Sequence, residues 1–296
     1  MNTIGIIGLG AMGGGMAANL AKSGARVLAF DVSAATLAKA KSSGCEVAGS
    51  AAAVAEADVI ITMLPAGSHV REVWLGELLP NAHNDSLLID CSTIDIESAR
   101  AVHRAAATAG LAAADAPVSG GVMAADAGTL AFMVGCEDAV FSRVEDALKP
   151  MAKTVIHAGA PGAGQAAKIC NNMLLGISML GVAEAFALAE KLDLAPARFF
   201  EVASQSSGQC WSLSSYCPWP GPVPTAPSNR NYEGGFLTSL MLKDLKLAQA
   251  AAAGAGAATP LGAQAEALYA LFDSLGYGSK DFSAVLQLMR GKLAEL

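Results

Sequence analysis

Short runs of apolar, β-branched residues alternate with longer amphipathic segments through the first half of the chain. The runs fall at 3–9, 26–30, 58–64 and 87–91, and helical spacing fills 11–23, 34–42, 68–75 and 95–109. Such alternation predicts βαβ units and a mostly parallel sheet covered on both faces. Weaker strand patterns follow at 112–115, 131–134 and 154–158. Past the Gly-Ala-Pro-Gly turn at 159–162 the pattern changes. Residues 165–192 read as one long helix, apolar on most sides. Further helical segments follow at 195–206, 238–253, 260–275 and 281–290, with no convincing strand among them. The expectation is an α/β domain over 1–162 and an all-helical domain over 163–296.

The helical half is interrupted at 217–227, where five of the chain's 12 prolines fall. Proline removes the N–H donor and fixes φ, so this stretch is neither helix nor central strand. It is either a surface spacer or, with Trp211, Tyr216, Trp219 and Tyr232 flanking it, a packed loop. The Ala/Gly tract at 250–258 reads as tight helix packing.

At 296 residues the chain is long enough for two domains, and 53% hydrophobic against 15% charged residues excludes a disordered chain. The net charge is −7 and no basic run occurs, which argues against nucleic-acid partners and anionic membrane surfaces. The mean hydropathy of +0.43 raises the question of a membrane span. The most apolar stretch, 173–189, is short for one and contains Ser178 and Glu184, so a buried helix is expected. The N-terminal residues lack the features of a signal peptide. The six cysteines show no C-x-x-C spacing and are expected as reduced core residues of a cytoplasmic protein.

Gly8-Leu9-Gly10-Ala11-Met12-Gly13 follows the first strand and opens the first helix. Gly8 suits a tight turn, Gly10 lets a pyrophosphate approach the backbone, and Gly13 permits close helix–strand packing; the helix N-terminus offers N–H groups to the phosphates. Asp31 ends the second strand, 21 residues beyond Gly10. A carboxylate there binds the ribose hydroxyls of NAD and repels the 2′-phosphate of NADP, and Val32 and Ser33 supply no arginine for that phosphate. The expected domain is therefore a Rossmann domain, and the expected cofactor is NAD.

In such sheets ligands lie at the carboxyl ends of the strands. Three segments there are polar or kinked: Leu64-Pro65 with Gly67, Ser92-Thr93, and Ser119-Gly120-Gly121. Each alone could be an ordinary turn; together they favour a site. The Ser119 turn, with two glycines and a hydroxyl, suits a small carboxylate. Lys168 and Asn172 share a face of the long helix among apolar neighbours. Burial lowers a lysine's pKa, and such a lysine exchanges a proton with an alcohol or carbonyl oxygen. Spacing alone still favours a surface lysine beside a packing amide. Lys243-Asp244 likewise reads, as a bare pattern, as the solvated edge of an amphipathic helix. No tyrosine has a lysine four positions later, and the four histidines form no metal spacing; His69 and His103 are expected on surface helices.

The ordered segments GLGAMGGGMAANL (8–20), DAPVSGG (115–121), GAGQAAKICNNMLL (162–175) and LMLKDLKLA (240–248) resemble the β-hydroxyacid dehydrogenases, relatives of 6-phosphogluconate dehydrogenase, over nearly the whole chain. Within that family, 214–236 is similar to the proline-rich loop of 3-hydroxyisobutyrate dehydrogenases and of bacterial serine dehydrogenases. The resemblance implies Lys168 as catalytic acid/base with Asn172 beside it, and Ser119, Gly120 and Gly121 on the substrate carboxylate. It places Leu64, Pro65 and Thr93 along the NAD cleft, Lys243 near the cofactor and Asp244 near the substrate. Trp211 and Phe236 become pocket walls. Gly14-Gly15 departs from the family pattern, where larger residues are expected, and implies a loose first helical turn, since glycine costs about 1 kcal/mol per site.

The implied activity is NAD-dependent oxidation of a small 3-hydroxy acid to its semialdehyde, with 3-hydroxyisobutyrate, an intermediate of valine catabolism, as the leading substrate. L-serine, 3-hydroxypropionate and tartronate semialdehyde share the same carboxylate and C3 oxygen. The absence of a basic cluster argues against a phosphorylated sugar acid. A non-catalytic dinucleotide-binding relative or an imine reductase is disfavoured by Lys168. The long apolar helix implies a homodimer or homotetramer, and the active site is expected in the crevice between the domains.

Overall fold

β-Branched and aliphatic residues in the first half build strands buried on both sides, as a covered parallel sheet requires. The structure, a computed structural model, describes residues 3–296. The strands are β1 Thr3–Ile7, β2 Arg26–Phe30, β3 Glu46–Val47, β4 Val59–Thr62, β5 Leu87–Asp90, β6 Ala112–Asp115, β7 Val118–Ser119, β8 Leu130–Gly135 and β9 Ala152–Gly159. They form one sheet in the order β3-β2-β1-β4-β5-β6-β8-β7, with β9 paired to β8. β3 through β6 are mutually parallel, β8 runs antiparallel to β6 and β7, and β9 is parallel to β8.

Helices cover the sheet: α1 Gly13–Lys22, α2 Ala34–Ser42, α3 Ala51–Val54, α4 Gly67–Val73, α5 Ile96–Thr108, α6 Gly121–Ala127 and α7 Asp138–Leu148. The two-residue period of a strand sends neighbouring side chains to opposite faces. Ile61 and Ile89 join Met16 and Leu20 of α1 in one core, while Ile60 and Leu88 join Trp74 and Val102 in another. The Rossmann-type sheet expected from the sequence is present. The short elements β3, α3 and β7, and the helices α6 and α7, are not among the expected ones. β3, α3 and β7 are too short to show a period.

The chain divides into compact units after Lys168, within α8, which spans Ala163–Lys191. The second unit continues with α9 Pro196–Ser204, α10 Trp211–Ser214, α11 Thr238–Ala255, α12 Pro260–Phe272 and α13 Val285–Arg290. Its core gathers Met179, Phe186, Leu245, Tyr269, Phe272 and Phe282. α8 has the length and composition of a membrane span. Its Met179, Ala183 and Phe186 are nevertheless fully buried in the helical core, and Arg290 and Lys292 hold Glu190 near its end at 2.7 and 2.9 Å.

Of the two readings of the proline-rich stretch, the packed loop is the one present: Cys217 and Ala226 are buried, Tyr232 Oη donates to the Pro218 carbonyl at 2.9 Å, and Trp219 stacks on Phe186 beneath the Arg290 guanidinium. Other expectations are corrected. His103 lies in the interior, not on a helix surface, because α5 turns that face onto β6. Of the six free cysteines, Cys170 is exposed and Cys210 half-buried. Gly15 serves a close contact between helices. A Cβ there would run into the backbone of Ala125 and Asp126, so the missing side chain lets α6 close on α1, where Asn19 Nδ2 donates to the Ala125 carbonyl at 2.7 Å.

Candidate active site

The glycine fingerprint forms a turn between β1 and α1. Gly8 adopts φ +91°, a region that disfavours side chains, and its N–H donates to the Phe30 carbonyl at 3.0 Å. A Cβ on Gly13 would collide with the Gly8 carbonyl, whereas one on Gly10 would stand in open space. That open space over exposed backbone is the approach a pyrophosphate needs. Leu9 is buried; Ala11 and Met12 complete the turn.

Asp31 closes β2 beside this turn. One carboxylate oxygen accepts the Leu9 N–H at 2.6 Å and the other the Ser33 N–H at 2.8 Å. A carboxylate has about four acceptor positions, so both oxygens retain capacity for ribose hydroxyls. The residues present therefore fit an NAD-type cofactor.

At the ends of β4 and β5 a buried chain of hydrogen bonds sets the loops. Trp74 Nε1 donates to Thr62 Oγ1 at 3.0 Å, and Thr62 and Ser92 hydroxyls donate to Asp90 Oδ1 at 2.8 and 2.6 Å. Ser92 Oγ accepts the Leu64 N–H at 2.7 Å. Leu64 and Thr93 are half-buried and Pro65 is exposed. Asp90 Oδ2 is buried with no hydrogen-bond partner. Burial pushes the Asp90 carboxyl up to about 7, against the opposing pull of the Ser92 and Thr62 hydrogen bonds.

Ser119 ends β7, and Gly120 and Gly121 take φ +132° and +69° to turn the chain into α6. The first N–H groups of a helix have no intrahelical acceptor. Val122 and Met123 next to this turn are exposed, Met123 at 76%.

Lys168 lies in α8, and only 7% of it is exposed. The surface-lysine reading is thereby removed. Asn172, one turn further along the helix, is 2% exposed and donates from Nδ2 to Asp244 Oδ2. Asp244 is itself buried in α11. Its Oδ1 has no hydrogen-bond partner and lies 3.6 Å from Lys243 Nζ. The solvated-edge reading of Lys243-Asp244 fails for Asp244 and holds in part for Lys243, whose side chain is 36% exposed. Trp211 is 52% exposed and stacks on Tyr216 with ring centroids 4.9 Å apart. Phe236 is half-buried against Phe282, and its N–H donates to Asp281 Oδ2 at 2.8 Å.

The first unit thus gathers the glycine turn, Asp31, the Leu64, Thr93 and Ser119 segments, and the start of the lysine-bearing helix. The second gathers Asn172, Lys243 and Asp244. Among the described residues no cluster suits a metal ion.

This fold and glycine turn define a protein of the dinucleotide-binding class. Residues 3–159 match the family model of the NAD-binding domain of 6-phosphogluconate dehydrogenase, and residues 162–289 match that described as NAD-binding of NADP-dependent 3-hydroxyisobutyrate dehydrogenase. The 3-hydroxyisobutyrate dehydrogenase of Pseudomonas aeruginosa is 50% identical, covering 99% of this chain and all of its own. The NAD-dependent L-serine dehydrogenase of the same organism is 45% identical over 97% of this chain and 98% of its own. A solved structure of Mycobacterium tuberculosis 3-hydroxyisobutyrate dehydrogenase with L-serine is 48% identical, with a TM-score of 0.95 over 98% of this chain and 99% of that one. The chain belongs to the 3-hydroxyisobutyrate dehydrogenase family of NAD-dependent oxidoreductases.

Proposed function

We propose that this enzyme oxidises 3-hydroxyisobutyrate, or a closely related small 3-hydroxy acid, to the semialdehyde, with Lys168 as the acid/base. The observation that carries the reading is the buried position of Lys168 at the start of α8, in the unit that also holds the glycine turn, Asp31 and the Ser119 turn. The bound nicotinamide supplies the hydride acceptor. As the C3–H bond breaks, Lys168 Nζ takes the hydroxyl proton, and the C3–O bond becomes a carbonyl. Ser119 and the N–H groups of Gly120 and Gly121 hold the substrate carboxylate, which fixes its distance to the reacting carbon. The family resemblance assigns Asn172 and Asp244 to the polar end of the substrate, with Trp211 and Phe236 as walls, and Lys243 to the cofactor. Asp31 selects NAD over NADP.

The relatives leave substrate choice between a hydroxy acid and its amino analogue, since one is named for L-serine. A panel with NAD, comparing the hydroxyisobutyrate enantiomers, 3-hydroxypropionate and L-serine, decides it. A kcat/KM for L-serine above that of either enantiomer would reassign the substrate. The six free cysteines fit a reducing, cytoplasmic setting. The exposed Leu174, Leu188, Leu261 and Leu271 of the helical unit favour a homodimer or homotetramer.

A further inference from the structure

The residues that hold the first turn of α8 are not those the reaction uses. Asp115, at the end of β6, is 1% exposed. Its Oδ1 accepts the Gly162 N–H at 2.7 Å and lies 3.0 Å from His103 Nε2, and its Oδ2 accepts the Gln165 N–H at 2.8 Å. The carboxylate therefore caps α8 from a different element, satisfying N–H groups that a helix start leaves without intrahelical partners. Gln165, fully buried, adds a second attachment. Its Nε2 donates to the Ser92 carbonyl at 2.7 Å, and its Oε1 accepts the Ile94 N–H at 3.1 Å. Those two residues flank Thr93. The helix start also sits hard against the sheet, because a Cβ on Gly164 would meet the backbone of Met133 and Asp115.

We infer that Asp115 and Gln165 act as a clamp that sets the axial position and rotation of α8, and thereby aim Lys168. The inference rests on the proposed acid/base role of Lys168. Gln165 and Lys168 are three apart and share a face. A slip of one residue would turn Lys168 by about 100° and move it about 1.5 Å along the axis. A site that must place a proton acceptor against a reacting hydroxyl does not tolerate that. His103 in turn holds Asp115. Asp115 and Gln165 are positioning residues; neither is assigned a contact with substrate or cofactor.

The test uses three variants of the full chain: Asp115→Asn, Gln165→Met and Lys168→Ala. Asp115→Asn sets an NH₂ group against at least one backbone N–H, and Gln165→Met removes both side-chain attachments while leaving the cap. The expected result for both is a kcat lowered at least tenfold, an NAD Kd from fluorescence titration within twofold of the parent, and a larger primary deuterium isotope effect from C3-deuterated substrate. The larger isotope effect marks a hydride step made slower by misalignment. Partial unfolding would lower kcat in proportion to the fraction of NAD-binding sites and leave the isotope effect unchanged, and that result overturns the inference. So does parental kcat in both variants. If Asp115→Asn does not fold, Gln165→Met alone decides. Loss of turnover in Lys168→Ala with normal positioning variants refutes the clamp alone; retained turnover in Lys168→Ala refutes the acid/base reading beneath it.

Discussion

Asp31 Oδ2 accepts the backbone N–H of Leu9 at 2.6 Å, so the carboxylate proposed to meet a ribose also fixes the turn proposed to meet the phosphates. The two parts of the dinucleotide site share one charge. NAD is expected to exceed NADP by at least tenfold in kcat/KM, or about 1.4 kcal/mol, because a 2′-phosphate would face this anion. Asp31→Ala should weaken NAD binding as well as relax the preference, since the Leu9 N–H loses its acceptor. Equal turnover of wild-type enzyme with NADP would show that Asp31 does not face the ribose.

Lys168→Ala should lower kcat by about 10²–10⁴-fold, the usual range for general acid/base groups, and leave NAD affinity nearly unchanged. Lys168→Arg should be almost as damaging, because a guanidinium does not release its proton near neutral pH. Wild-type oxidation should speed up as pH rises, since the neutral amine is the accepting form. Near-normal kcat in Lys168→Arg with a modest change in KM would make Lys168 an anchor for the carboxylate.

The buried Asp90 makes stability depend on pH. Its folded-state pKa, about 7, lies above the value of an unfolded aspartate, roughly 3.9, so the folded state holds this proton more tightly. The group's stabilising contribution is complete below the unfolded value and is lost as pH rises through 7. Thermal melts at pH 5, 6, 7 and 8 should show wild-type Tm falling relative to Asp90→Asn, whose side chain does not titrate. A constant difference between the two proteins across that range would mean that Asp90 stays ionised.

The exposed leucines of the helical unit predict self-association. Light scattering at micromolar concentration should give a mass two or four times the 29.8 kDa of one chain. A particle of one-chain mass would refute it.

The sequence alone determined the main alternation of strands and helices, the glycine turn and Asp31, because each rests on local signals. Strand period, helix period, and the need for glycine at φ +91° and at a helix–strand contact are all written within a few consecutive residues. The face shared by Lys168 and Asn172 was equally legible from a spacing of four. Whether that face was buried was not, since burial depends on what packs against it. Only the tertiary structure decided that Lys168 is interior, that Asp244 bonds to Asn172 from 72 positions away, and that Asp115 caps a helix through the N–H of Gly162, 47 positions later. The same holds for His103, whose place on an amphipathic helix fits surface or core until β6 covers it, and for the Gly15 contact with α6. These are hydrogen bonds and close approaches between residues far apart in the chain. Their partners are chosen by the stacking of elements on the sheet, and local periodicity carries no record of that choice.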